Sequence, residues 1–148
     1  MNNLKYLIYP ILVVMLFASC TVKPAKINYG DDHCHYCDMT IVSKSFVSEY
    51  VTKKGKSFKF DAIECMTHEI NQKYNSNNLA YILVANFNNP GELIDARKAT
   101  YLVSPAIKSP MRANLSAYNS KEQGLAAQKK YGGKLYNWSQ VRKKLGTK

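Results

Sequence analysis

Phe58-Lys59-Phe60-Asp61-Ala62-Ile63-Glu64-Cys65-Met66 (FKFDAIECM) decides how this chain folds. Ser57 to Phe60 reads as a strand. Asp61 then reads as a helix N-cap, and Glu64, three residues on, completes a capping box. Behind it Ile63, Met66, Ile70 and Tyr74 fall at i, i+3, i+7 and i+11, one face of a helix. Asn75 to Asn78 stops that helix. A strand passes straight into a helix here, with two sulfur residues in the first turn.

Upstream, Val42 to Thr52 (VSKSFVSEYVT) is rich in Val, Phe and Tyr and suits a strand, and Lys53-Lys54-Gly55-Lys56 suits a hairpin turn. Downstream, Leu79 to Phe87 (LAYILVANF) reads as a strand and Asn88-Asn89-Pro90-Gly91 as a turn. The same plan then recurs. Ala99 to Val103 is a strand, Ser104 to Pro110 a proline-bracketed loop, and Asn114 to Tyr118 a short strand. Ser120 with Gln123 forms a second capping box for a helix over Glu122 to Lys130, with Leu125, Ala126 and Lys129 in register. Tyr131-Gly132-Gly133 ends it, Leu135-Tyr136 is a short strand, and Asn137 with Gln140 caps a last helix holding Trp138, Val141 and Leu145. Strand, cap and helix therefore occur twice, at Phe58–Tyr74 and Leu115–Tyr131. The fold expected is α+β: two similar small ββα-type halves packed together, a first ββαβ half over 33–91 and a second ββα half over 92–148.

The chain opens MNNLKYLIYPILVVMLFASC, with Lys5 ahead of an apolar run that is short for a membrane-spanning helix. A basic start, a short apolar stretch and small residues make an export signal over residues 1–19. The Ser19-Cys20 ending resembles a bacterial lipobox, which implies cleavage before Cys20 and a lipid on its thiol. Residues 20–32 lack periodicity and read as a lipid-anchored tether. The expected location is the cell envelope, periplasm-facing; Thr21, which is not an acidic retention signal, favours the outer membrane.

The full chain carries 21 Lys and Arg against 10 Asp and Glu, a net charge of +11. The lysines are scattered (Lys44, Lys53, Lys54, Lys56, Lys59, Lys73), and an exported lipoprotein meets no genome. A solvated basic face, drawn to anionic lipid or an acidic partner, fits better than nucleic-acid binding.

Once Cys20 is lipidated, Cys34, Cys37 and Cys65 remain, an odd number that forbids complete internal pairing. Cys34-His35-Tyr36-Cys37 has the spacing of a thiol–disulfide oxidoreductase, but that chemistry wants its first cysteine at a helix N-terminus, and this motif precedes a strand-like segment. Asp38, not His, follows Cys37, which excludes covalent haem attachment. Cys34, Cys37, Cys65 and His68 also form the C-x2-C…C-x2-H pattern of a zinc-stapled domain. Against zinc stands the sulfur bias: Met39 follows Cys37 by two residues, Met66 adjoins Cys65, and Met111 sits in the proline-bracketed loop. Thioethers suit Cu(I), whose softness matches thiolate and thioether. Cys65, in the first helical turn, is expected to favour its thiolate through the helix dipole. His68 lies three residues on, nearly on the same face. No Ser/His/Asp or Cys/His/Asn set and no glycine-rich phosphate loop is present, so an enzyme is not expected.

Cys34-x-x-Cys37-Asp38-Met39, Gly55-Lys56 and Phe60-Asp61-Ala62-Ile63-Glu64-Cys65-Met66 resemble the NosL family of nitrous oxide reductase accessory lipoproteins. So do Ala99 to Val103, Pro110-Met111 with Ala113-Asn114-Leu115, and Gly132-Gly133 ahead of Trp138. That resemblance implies a lipid-anchored Cu(I) metallochaperone that delivers copper to the maturation complex of nitrous oxide reductase. Arg112 and Tyr131 depart from the pattern, where Gly and His are expected. The expected copper ligands are Cys65, Met66 and Met111, with Met39 and His68 as further candidates and Cys34 and Cys37 as a secondary pair.

Overall fold

Two antiparallel sheets are built by one repeated winding. In the computed structural model, which describes residues 21–74 and 76–146, the expected signal peptide and Cys20 lie outside the described residues. Strand β1 (Ser48–Thr52) turns at Lys53–Lys56 into β2 (Ser57–Phe60), with Tyr50 opposite Phe58 and Ser48 opposite Phe60. Gly55, at φ +83°, supplies the left-handed residue of that turn. Helix α1 (Ile63–Lys73) follows, and β3 (Leu79–Ala85) returns to the free side of β1. A short strand β4 (Leu93–Asp95) extends this sheet. Then β5 (Thr100–Val103) pairs with β6 (Leu115–Tyr118), helix α2 (Lys121–Tyr131) crosses, and β7 (Lys134–Tyr136) returns to the free side of β5. The orders β2-β1-β3-β4 and β6-β5-β7 share the same first-strand-central ββαβ unit. Helix α3 (Trp138–Gly146) is the last described element.

One core serves both units. Ile63, Met66 and Ile70 on α1 are fully buried with Tyr50, Phe60 and Ile82, and the same cluster takes in Tyr101, Leu115, Trp138 and Val141 from the second unit. The apolar face read from the sequence is thus the face that joins the halves. Polar ties reinforce the seam: Asn71 and the Arg142 side chain and carbonyl exchange hydrogen bonds at 2.9 Å between α1 and α3, and Phe87 N–H donates to the Ala117 carbonyl at 2.8 Å between the sheets.

Several expectations need correction. Asp61 does not cap α1: Ala62 is the N-cap residue and no side chain bonds there. The Asp61 carboxylate is buried and accepts the Val42 amide, and Glu64 is turned toward the second unit, so both acids serve tertiary contacts. The other two caps form. Ser120 accepts from Gln123 N–H at 3.3 Å, and Asn137 and Gln140 bond reciprocally at 2.9 Å. Helix α2 buries Gly124 and Ala127 rather than Leu125, which is 47% exposed. Gly124 explains this, because a Cβ there would stand 2.5 Å from Thr100 Cγ2; α2 approaches its sheet too closely for a large residue. Residues 42–47 turn rather than extend, and β4, only three residues long, places the end of the first sheet after Asp95 instead of at 91. The tether is also no free leash. Ile27 and Tyr29 pack on Ile41, Val47 and Ala85, and Ala25 N–H donates to buried Glu49 at 2.7 Å.

Gly133 sits at φ +97°, and a Cβ there would come 2.2 Å from the Val103 carbonyl oxygen; Gly132, at φ +67°, has nothing within 4 Å of that position. Gly132→Ala should cost about 1–3 kcal/mol for its backbone conformation alone, and Gly133→Ala should cost distinctly more because the clash is with backbone. Urea midpoints at unchanged slope measure both. Equal shifts would show that the Gly133–Val103 approach is not kept in solution.

Candidate metal centre

The metal candidates meet where a tight loop lies over the start of α1. His33 and Thr40 form an isolated antiparallel bridge that closes the loop. Within it Cys34 N–H donates to the Met39 carbonyl and Asp38 N–H to the Cys34 carbonyl, both at 2.8 Å. Asp38 reaches φ +62°, a left-handed conformation Asp tolerates better than most residues. His35 N–H donates to the Lys59 carbonyl at 2.9 Å, which fastens the loop to β2. Since β2 leads directly into α1, Cys65, the third helical residue, lies beneath the loop.

The three sulfurs of Cys34, Cys37 and Cys65 all lie within 4.8 Å of one another, with Cys65 Sγ 3.8 Å from Cys37 Sγ. A metal–sulfur bond of about 2.3 Å at tetrahedral or trigonal angles gives sulfur–sulfur edges of about 3.8–4.0 Å. The trio is close to that spacing without rearrangement. Cys34 and Cys65 are buried and Cys37 is half-buried, so the cluster opens on the Cys37 side.

Hydrogen bonding separates the three thiols. A bond from the Cys65 thiol, helped by the backbone N–H groups of Asp61, Cys37 and Tyr36, holds Cys34 well below the usual thiol range against the opposing effect of burial. Cys65 is pushed up because it is the donor in that bond, because it is buried, and because the Cys34 charge faces it. Burial raises Cys37 as well, against the Met39 N–H that points at its sulfur. Hydrogen bonding thus pulls Cys34 down, while that same bond, burial and the facing charge push Cys65 up. At Cys65, the bond to Cys34, burial and the neighbouring Cys34 charge oppose the expected helix-dipole effect. The Cys34 charge also raises the Asp61 carboxyl, after burial itself.

His35 and Glu69 were not singled out in the sequence. His35 Nδ1 stands 2.9 Å from the buried Glu69 Oε2, and Tyr50 donates its hydroxyl to Glu69 Oε1 at 2.5 Å. A carboxylate accepts only, so Nδ1 carries the hydrogen. The imidazole also packs edge-on against Phe58 at 4.6 Å. This pair clamps the Cys34–Cys37 loop to α1. Its one signal in the sequence is that Glu69 follows Cys65 by four residues, on the same helix face.

The remaining candidates differ in burial. Met39 is 51% exposed, at the end of the loop just before Thr40. Met66 is fully buried in the core. His68 stacks on Tyr36 at 5.8 Å, and among the described residues the cluster of His, Cys and acidic side chains able to hold an ion contains only the three cysteines. A C-x2-C…C-x2-H zinc set is therefore not assembled. Met111 is 38% exposed in a loop tied to α1: buried Glu64, next to Cys65, accepts the Ser109 hydroxyl and the Ala113 N–H. Oxidoreductase chemistry fits poorly, since Cys34 is only 2% exposed and lies in a loop rather than at a helix start.

The NosL family profile matches residues 24–145. The fold is similar to the crystal structure of the copper chaperone NosL from Shewanella denitrificans, with a TM-score of 0.68 at 21% identity, over 81% of this chain and 96% of that one. No curated protein matches the sequence significantly. With the profile running from residue 24 to residue 145, over both described sheets and the cysteine trio, the chain belongs to the NosL family.

Proposed function

We propose that this protein is a lipid-anchored Cu(I) chaperone of the cell envelope that carries copper toward the maturation of nitrous oxide reductase, and that it is not an enzyme. The observation that carries the proposal is the trio of sulfurs within 4.8 Å in a chain of the NosL family. Copper is cargo here. Cys34, Cys37 and Cys65 are the primary ligands in this reading, and an all-sulfur set favours Cu(I) over harder ions. Binding releases whatever protons the three thiols hold, since the thiolate is the ligand. Met111 and Met39, both exposed, stand as thioethers through which the ion enters and leaves. Met66 packs the core, and His68 stacks on Tyr36 of the loop. Cys20 takes the lipid, and the acceptor is a copper-acceptor protein or the enzyme's maturation complex.

Anaerobic titration of the reduced protein with Cu(I) against a competing chelator tests this. One tight Cu(I) per chain is expected. Each of Cys34→Ser, Cys37→Ser and Cys65→Ser should weaken it by more than about 100-fold, beyond what loss of an outer-shell partner costs. Zn(II) preferred over Cu(I), or wild-type affinity in the Cys65→Ser protein, would contradict the assignment.

Met111→Leu keeps volume and apolarity, so folding should be unchanged. Its Cu(I) affinity should fall about tenfold, the equivalent of 1.4 kcal/mol, and transfer of Cu(I) to a chelator should change in rate. A folded Met111→Leu protein with unaltered affinity and transfer would remove the second half from the site.

A further inference from the structure

The polypeptide enters the described domain beside the β1–β2 turn. Val22 Cγ2 comes 3.9 Å from the position a Cβ on Gly55 would take. Ala25 N–H is held by Glu49, and Lys59 Nζ donates to the Lys26 carbonyl at 2.6 Å. This entering segment, a strap, is thus fastened from Val22 onward, which leaves one residue, Thr21, and about 7 Å of extended chain between Val22 and residue 20. The turn carries Lys53, Lys54 and Lys56, all exposed, and Lys23 is exposed on the strap beside it. Among the described residues no acidic side chain forms an ion pair with any of the three turn lysines, whereas Lys59 is engaged by Asp32 at 2.6 Å. Behind the turn lies a cavity of about 560 Å³ walled by Phe58 and Tyr74 and rimmed by the same lysines.

We propose that this lysine-rimmed hairpin is the face that the protein lays against an anionic bilayer. The proposal rests on the lipid-anchor reading for Cys20. A short tether keeps the hairpin at high effective concentration near the surface, so weak attraction by three or four lysines is enough to orient the domain. The orientation has a consequence for the cargo. A second cavity, of about 540 Å³, runs from Lys56 and Phe58 to Cys34, His35 and Tyr36, so the hairpin and the metal loop share one edge of the domain. Apposition of the hairpin brings the metal loop down to the membrane surface, within reach of a membrane-held acceptor.

The test uses the full chain, made in a host that processes lipoproteins and reconstituted in vesicles of phosphatidylcholine alone or with a quarter of phosphatidylglycerol. Intact mass first reports the lipid on Cys20. Amide hydrogen exchange of residues 52–58 should then slow about fivefold or more in the anionic vesicles, the factor one surface lysine supplies, with α2 unchanged. The Lys53→Gln/Lys54→Gln/Lys56→Gln protein, altered only at exposed positions, should keep its lipid and its urea midpoint but lose the slowing. Lipidated protein with equal exchange in both vesicles would overturn the apposition and leave the anchor standing. Protection that ignores phosphatidylglycerol and grows with protein concentration would assign the surface to a second copy of the chain instead. An unmodified Cys20 would overturn both readings.

Discussion

The first turn of α1 is the constraint on which the rest depends. Consecutive helical residues point about 100° apart, and here three in a row face three different neighbours. Glu64 takes the Ser109 hydroxyl and Ala113 N–H of the second unit, Cys65 faces the Cys34–Cys37 loop, and Met66 enters the common core. A small rotation of the helix would disturb all three at once. Packing of Ile63, Met66 and Ile70 fixes that rotation, so the core decides where the Cys65 sulfur stands.

The loop side of the cluster is held as firmly. Backbone N–H groups aimed at the Cys34 sulfur, the Lys59 carbonyl bond and the His35–Glu69 clamp fix two of the sulfurs before any ion arrives. Such preorganisation lowers the ordering cost of binding. The half-buried Cys37 gives the cluster an open side, which the carrier role proposed above requires.

The repeat and the cysteine trio were legible in the sequence, for different reasons. Helix α1 and its core face follow from the 3.6-residue period, and the Ser120 and Asn137 caps follow from short-range chemistry that tertiary contacts did not override. Cys34, Cys37 and Cys65 were visible as an odd set of soft ligands, though not the order of their acidities. That order is set by burial and by which thiol donates to which, neither of which a spacing encodes. Asp61 and Glu64 misled for a related cause: a capping box and a buried tertiary acceptor look alike until the second half of the chain is placed. The strap from Val22 to Asp32 was illegible because aperiodic segments can be fastened by backbone groups, as Ala25 and Lys26 are, without leaving a side-chain pattern.

X-ray absorption at the copper edge, on protein loaded anaerobically with one equivalent of Cu(I), bears most directly on the central claim. A sulfur-only first shell is predicted, losing one sulfur in the Cys65→Ser protein. A shell dominated by nitrogen or oxygen, or a sulfur shell indifferent to loss of Cys34, Cys37 and Cys65 in turn, would contradict it.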